Sequence, residues 1–538
     1  MNHLDLTDTS NRNLGRILQM QAEAVGDNVY LLNDDRRVTF AETDQMVNRV
    51  ARGLADLGVG RGDRVAFFAG SAIEIIFLTL AVTRLGAVWI PINTEYKGEW
   101  LKSTLADSKP KVIVSDTRML TRLAEVLHEV PHKHLVLLDI GSNPVPPGAK
   151  SFDFLQSFSD APHDMSFIDY GDLNAVLWTS GTTGKSKGVM QSHNVWIKSA
   201  ERTSVRYGTI PGDVAYNVLP LYNTASWIMT IFRTLFEGIG CATDPVFSVT
   251  NFWERTRYYN ATQTFSLGAM HMYLWKQPER PDDMDNPIRS AGMTPMPDAI
   301  IEPFCERFGI ESIAQGFGQS EIGNVISREP TNKPGPKPGA LGKVAPDVEL
   351  RLTDDDGNEV PVGEVGEFTL RPKAPHIMFE GYFENPEATA DAFTADGWYR
   401  MGDLGRKDAD GDYFFIDRKK DAVRYAGRNI STMEVEQAIR AHPAISEVAV
   451  FGIKSQELET ESELAAHVIL HEGHSLSADE LARFVNDNAP YYFVPRYIEF
   501  VGSLPYTPTN KVQKFMLRER GVSADTWDRI AAGFELRK

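Results

Sequence analysis

At 538 residues the chain is longer than one hydrophobic core serves, so at least two domains are expected. Its 42% hydrophobic and 24% charged residues fit a globular enzyme and exclude a disordered chain. A net charge of −18 argues against a nucleic-acid partner, and only two cysteines, Cys241 and Cys305, exclude a disulfide framework and a cysteine-based zinc site.

The start, Met1-Asn2-His3-Leu4-Asp5, lacks a basic-then-apolar signal pattern. Up to residue 170, helix and strand patterns alternate. Residues 44–57 read as an amphipathic helix ended at Gly58, 64–69 as a buried strand, 72–85 as a helix and 87–92 as a strand. The apolar run 75–92 is interrupted by Arg84 and Gly86, so it predicts a buried helix and strand, not a membrane span. A cytoplasmic, reducing setting follows as an expectation. Further units follow at 101–106, 112–115, 120–130 and 135–139. Such repetition predicts a largely parallel sheet with helices on both faces.

Directly after the apolar run 175–178 comes Thr179-Ser180-Gly181-Thr182-Thr183-Gly184-Lys185-Ser186-Lys187. Glycines let backbone N–H groups approach an anion, hydroxyls donate, and lysines supply charge, which is what a polyphosphate needs. The order is not that of the Walker loop, because Thr179 stands where that pattern requires Gly. This predicts ATP used for adenylyl transfer. Residues 340–416, rich in Gly and Asp turns, predict a small, mainly antiparallel subdomain. After Arg418-Lys419-Lys420 the pattern is α+β: helices at 434–441 and 478–486, strands at 448–452, 464–470 and 497–501. The expected fold class is α/β. A large N-terminal domain, 1–417, is joined by a hinge to a smaller C-terminal domain, 418–538.

Further segments carry chemistry. Gln315-Gly316-Phe317-Gly318-Gln319-Ser320-Glu321 pairs an aromatic ring and glycines with a hard oxygen ligand. Ser290-Ala291-Gly292-Met293-Thr294-Pro295-Met296-Pro297 is a small-residue segment. Trp398-Tyr399-Arg400-Met401-Gly402-Asp403-Leu404-Gly405 offers a carboxylate suited to two hydroxyls. Asp417 to Arg428 is basic in an acidic protein. Leu504 to Val512 places Lys511 after Pro508, Thr509 and Asn510, and Leu219 to Trp227 contains Asn223.

In this order the segments resemble the acyl-adenylate-forming, or AMP-binding, superfamily of acyl-CoA synthetases, peptide-synthetase adenylation domains and firefly luciferase. The similarity covers nearly the whole chain. It implies an ATP-dependent carboxylic acid–CoA ligase, with ATP, Mg²⁺ and CoA as cofactor and co-substrates. The 179–187 loop, with Thr182 among its catalytic groups, would hold the phosphates. Thr294, Gly316, Phe317, Gly318, Gln319, Ser320, Asp403 and Arg418 would contact the nucleotide, and Glu321 would bind Mg²⁺. Lys511 would be the adenylation lysine and Lys420 the hinge. Gly427 and Arg428 would face CoA, and Asn223, Trp227, Gly292 and Met293 would border the acyl pocket. Asn223 stands where relatives carry His, Met401 where they carry Thr or Ser, and Asn510 where they carry Gly.

The alternatives are an adenylation enzyme that loads a carrier-protein thiol, a luciferase-like oxygenase, or a nucleotide-binding protein without turnover. Residues 90–96 and 507–514 look most similar to the crotonobetaine/carnitine–CoA ligase branch. Trp227, Trp253 and Trp275 would then form an aromatic box for a quaternary ammonium, or simply core; fatty, steroid and aryl acids fit the same residues. A homodimer is common among relatives.

Overall fold

The structure, a computed structural model, describes residues 4–139, 146–179, 186–419, 421, 423–425, 428–454, 462–506 and 512–537. The chain divides into two compact units. One comprises Met1–Thr179, Ser186–Glu349 and Arg371–Asp391, the other Leu350–Leu370 and Ala392–Lys538.

The first unit is mixed α/β. A seven-stranded sheet runs Lys150–Ser151, His134–Leu137, Val112–Ser115, Arg64–Phe68, Val88–Pro91, Leu173–Thr179, Lys187–Ser192. Every pair is parallel except the last. Its inner strands are buried along their length, as expected when helices cover both faces. The helix Ile73–Arg84 is apolar on all sides and buried at every position except Glu74. Arg84, the charge that interrupts this run, is itself buried and is paired with Asp44. The next helix toward the N-terminus is Phe40–Asp56, longer than its pattern predicts. Thr39 and Glu42 form a reciprocal capping box that starts it four residues earlier than expected.

A second sheet of this unit has a parallel core: Ser312–Gln319, Ser290–Thr294, Gln263–Leu267, Val214–Asn217, Gly240–Thr243, Val29–Asn33. Strand Gly323–Thr331 folds back antiparallel on Ser312–Gln319, and Ala340–Val344 follows it.

In the second unit, Val365–Pro372, Tyr399–Lys407 and Tyr413–Arg418 pair antiparallel, as the turn-rich sequence predicts. A four-stranded sheet contains Ile445–Lys454, Ser462–Leu470, Tyr497–Phe500 and Trp527–Asp528. Helices Thr432–Arg440 and Ala478–Asn488 supply its core with Val435, Ile439, Leu481 and Val485. Among the described residues no helix is long and apolar enough to cross a membrane.

Candidate active site

The two strands that flank the expected phosphate loop in sequence, Leu173–Thr179 and Lys187–Ser192, pair antiparallel. Thr179 pairs with Lys187 across the antiparallel strands, and the Thr179 hydroxyl donates to the Lys187 carbonyl at 3.2 Å. Ser180, Gly181, Thr182, Thr183, Gly184 and Lys185 lie outside the described residues. The Lys187 ammonium sits 4.7 Å from the centre of the Tyr382 ring, a cation–π contact.

Tyr382 also joins this strand pair to Glu321. Its hydroxyl donates to Glu321 Oε1 at 3.0 Å. Main-chain bonds reinforce the link. Phe379 N donates to Glu321 O at 2.6 Å, Glu380 N to Met190 O at 2.8 Å, Met190 N to Gly381 O at 3.0 Å and Phe383 N to Gly188 O at 2.7 Å. The segment 379–383 is therefore tied both to the strand leaving the loop and to the carboxylate.

Glu321 lies in the turn between Ser312–Gln319 and Gly323–Thr331, where Gln319 faces Gly323. Gly323 has φ +68°, a left-handed conformation that favours glycine. Gly318 is required by close approach, because a Cβ there would lie 1.8 Å from the Gly323 carbonyl oxygen. Between these constraints Phe317 is partly exposed. Gly316 N donates to the Thr294 hydroxyl at 3.3 Å, joining two predicted nucleotide contacts from adjacent strands. Ser320 Oγ lies 3.1 Å from Thr224 Oγ1, and the Ser320 carbonyl accepts from the Gln191 amide. Thr294 and Gly316 are thus bonded across adjacent strands, while Ser320 and Glu321, in the turn that follows, are bonded separately to Thr224 and Gln191 and to Tyr382, with Gln319 half-buried beside Ser320.

Some expected pocket residues are placed differently. Trp227 is fully buried and packs on Trp89 at 4.8 Å and Phe232 at 5.2 Å, while its indole N–H donates to Leu221 O at 2.7 Å. It is core, not pocket wall. Met293 is also fully buried, on the face of its strand that joins Ala291 and Phe304 in the core. Strand alternation puts Gly292 and Thr294 on the other face. Trp253 stacks on Phe308 and Trp275 packs against Phe304, so neither forms a box with Trp227. Asn223 caps the short helix Thr224–Ser226, its Oδ1 accepting from Ala225 N at 2.9 Å. Helix capping is a role the sequence comparison with His had not suggested.

Asp403 and Arg418 in the second unit are cross-strand partners, with Arg418 Nε 2.8 Å from Asp403 Oδ1. The Asp403 side chain is 1% exposed whereas that of Arg418 is 43% exposed, so the guanidinium reaches solvent and the carboxylate is buried behind it. Lys419 bridges Glu367 and Asp355, each at 2.8 Å. Buried Asp417 caps helix Thr432–Arg440, accepting from Thr432 N at 2.6 Å and Thr432 Oγ1 at 2.8 Å. Arg428 opens strand Arg428–Ile430, opposite Tyr425. Its side chain, together with Lys420, Gly427 and Lys511, lies outside the described residues. A bridge between Tyr506 and Val512 flanks the segment that contains Lys511. Lys514 Nζ then donates to Thr432 Oγ1 at 2.7 Å and contacts Glu436 Oε1 at 2.8 Å.

Tyr382, Gln191, Thr224 and His271 were not legible as site residues. His271 is buried between Ser266 Oγ, 3.0 Å from Nδ1, and Pro295 O, 2.9 Å from Nε2. Burial lowers its pKa to about 4, and burial does the same for His193, also to about 4. In the unfolded chain both titrate near 6.5, so between pH 6.5 and 4 the unfolded state binds more protons. Stability is expected to be fully present above pH 6.5 and to fall as pH drops toward 4, by on the order of 3 kcal/mol per imidazole. Urea melts across this range check it: His271→Gln should flatten the acid limb, and an unchanged slope would exclude the assignment.

Among the described residues no cluster of three or more His, Cys, Asp or Glu side chains is placed to hold a metal. Glu321, beside the hydroxyls of Ser320, Thr224 and Tyr382, instead forms an oxygen-rich set, compatible with a hard cation that takes its other ligands from phosphate and water.

Residues 18–383 match the sequence profile of the AMP-binding enzyme family, and residues 434–511 that of the AMP-binding enzyme C-terminal domain. A crotonobetaine/carnitine–CoA ligase of Escherichia coli is 29% identical over 483 residues, covering 88% of this chain and 92% of the relative. Among solved structures, ATP-bound MatB from Rhodopseudomonas palustris is 27% identical with a TM-score of 0.82, over 94% of this chain and 99% of that one. The anthranilate CoA ligase AuaEII in complex with anthranoyl-AMP is 25% identical with a TM-score of 0.82, over 97% and 98%.

Proposed function

Because the chain belongs to the AMP-binding enzyme family, we propose that it is an ATP-dependent carboxylic acid–CoA ligase working through an acyl-adenylate. The observation that carries the reading is the linkage of the loop strand bearing Lys187, through Tyr382, to Glu321, with Thr294 and Gly316 alongside. Charge, hydroxyls and one carboxylate meet where a nucleotide polyphosphate would lie.

A carboxylate is already a nucleophile, so the protein need only position it and offset charge. In this reading Lys187 and residues 180–185 hold the β- and γ-phosphates, Ser320 the α-phosphate, and Phe317 stacks on adenine between Gly316 and Gly318. Arg418, which covers the buried Asp403 carboxylate, reaches the nucleotide, and Asp403 accepts the ribose hydroxyls once the guanidinium swings aside. Glu321 would hold Mg²⁺ with phosphate and water oxygens, and the ion would supply charge neutralisation there. Lys511 bridges the substrate carboxylate and the α-phosphate. After pyrophosphate leaves, rotation at Lys420 withdraws Lys511 and presents Gly427 and Arg428 to CoA, whose thiolate displaces AMP. The functional division is then an adenylation domain, 1–417, and a mobile domain, 418–538.

The named relatives act on different acids, crotonobetaine or carnitine in one case and anthranilate in another, at similar identity to this chain. Resemblance therefore does not choose the acid. The test is pyrophosphate release from Mg·ATP over a panel of carboxylic acids, with and without CoA. CoA-dependent thioester and AMP in equal amounts are expected for at least one acid. Pyrophosphate release with no thioester under any condition would defeat the CoA assignment and favour a carrier-protein thiol.

A further inference from the structure

Shortly before residue 420 a buried carboxylate reaches across to a helix that begins after it. Asp417 is 2% exposed and stands next to the end of strand Tyr413–Arg418. Its Oδ2 accepts from Thr432 N at 2.6 Å and from Thr432 Oγ1 at 2.8 Å, and Met433 N approaches the same oxygen at 3.4 Å. Ser431 Oγ donates to Ile416 O at 2.8 Å. Each of these donors lies beyond residue 420 and each acceptor before it.

The helix Thr432–Arg440 does not supply this cap from its own side. The first N–H groups of any helix have no partner within it. Ser431 Oγ takes Glu434 N at 3.3 Å, but Thr432 N and Met433 N go to Asp417. A carboxylate at a helix N-terminus is held both by charge-assisted hydrogen bonds and by the helix dipole. The capping group of the first turn therefore belongs to the strand on the other side of residue 420.

Both partners are braced in their own surroundings. On the strand side, Arg418 pairs with Asp403, and Lys419 with Glu367 and Asp355. On the helix side, Lys514 Nζ donates to Thr432 Oγ1 at 2.7 Å and meets Glu436 Oε1 at 2.8 Å, and that oxygen also accepts from Val450 N at 3.0 Å. Asp421 pairs with Arg518 of the helix Lys514–Arg520. Lys419 and Asp421, the neighbours of residue 420, are thus tied to different elements. A rotation at 420 would move strand and helix as bodies and fall directly on the bonds to Asp417.

We propose that Asp417 is a positioning residue for the two-step reaction: its carboxylate latches the start of this helix in one of the two arrangements between which the cycle alternates. The inference rests on the ligase reading above, whose swing at Lys420 separates these donors from their acceptor. Thr432 N and Oγ1 cannot stay within hydrogen-bond distance of Asp417 while residues 421–538 turn relative to strand 413–418. In the latched arrangement protein groups satisfy the carboxylate and the first turn. In the other, both must turn to water or to new partners. The latch therefore sets the ratio of two populations, and with it the ratio of the two half-reaction rates.

The test measures the half-reactions separately on the full chain. Acid-dependent pyrophosphate release, with the best acid of the panel above, reads the first. Thioester formation from CoA and the preformed acyl-adenylate of that acid reads the second. Asp417→Ala removes the acceptor and should change the ratio of the two rates by ~10-fold or more, the scale of hydrogen bonds to a charged group. Asp417→Asn keeps the shape and a weaker, neutral acceptor. It should move the ratio the same way by ~3-fold or more, and it decides the matter if the alanine protein does not fold. Ser477→Ala is the control, because it uncaps helix Ala478–Asn488, whose cap and helix both lie beyond residue 420. It should lower the melting temperature and leave the ratio within about 2-fold of wild type. A ratio unmoved in the Asp417 variants, parallel loss of both half-reactions, or an equal shift in Ser477→Ala would overturn the latch and leave the ligase reading standing. Wild type that releases pyrophosphate with none of the acids would overturn the ligase reading, and this inference with it.

Discussion

Lys511→Ala is expected to lower acid-dependent pyrophosphate release by about 10²–10³-fold, the scale on which removing one charged or hydrogen-bonding group from a developing anion acts. The loss should fall on kcat, with KM for ATP and acid changed little, because the lysine's contribution is greatest where charge builds between carboxylate and α-phosphate. The second half-reaction discriminates further. Supplied with preformed acyl-adenylate and CoA, the variant should make thioester at close to the wild-type rate, since the proposed cycle withdraws Lys511 in that step. Equal losses in both half-reactions would mean that the lysine supports the fold or the thiol step and would defeat the assigned role. Two features flank its segment, the bridge between Tyr506 and Val512 and the anchoring of Lys514 to Thr432 and Glu436. Alanine at 511 removes neither, so the melting temperature should hold.

Gly318→Ala is expected to lower the melting temperature by roughly 4 °C or more and to abolish ATP use. The reason is steric. A Cβ would stand 1.8 Å from the Gly323 carbonyl oxygen, a main-chain atom that cannot rotate away. The strands 312–319 and 323–331 would have to separate at the turn that carries Ser320 and Glu321. Overpacking against fixed atoms costs about 3 kcal/mol or more, which for a unit this large gives a shift of that order. Gly502→Ala is the control, because nothing lies within 4 Å of its added Cβ, and it should melt like wild type. A Gly318→Ala protein with wild-type melting and KM for ATP would disprove the tight turn.

Local patterns were read well from sequence where burial has one period. Strand Val112–Ser115 falls where its apolar run places it, because a strand buried on both faces needs no alternation. The helix starting at Phe40 was placed too late, although its capping box, Thr39 and Glu42, stands in the sequence. Thr294, Gly316, Ser320 and Glu321, expected together from compact motifs, lie on adjacent strands and the turn that follows them. Trp227 and Met293 were misplaced for a physical reason: an apolar side chain next to a motif faces core or pocket according to its strand or helix face, and their own periodicity does not say which side the ligand takes. Tyr382, far along the chain from Lys187, meets it through a contact that only the folded chain creates. The glycines at 316 and 318 were read as room for a nucleotide; they are equally demanded by their own hairpin.

The segment 379–383 has a kinematic consequence. It is bonded at one end to the main chain of Glu321 and along its length to Gly188 and Met190, while Tyr382 touches both Lys187 and the Glu321 carboxylate. Cation-bearing strand and carboxylate-bearing turn behave as one rigid link rather than two. Their separation is set when the chain folds, so a polyphosphate bound as proposed would meet a gauge of constant width, and little entropy would be lost in ordering the site.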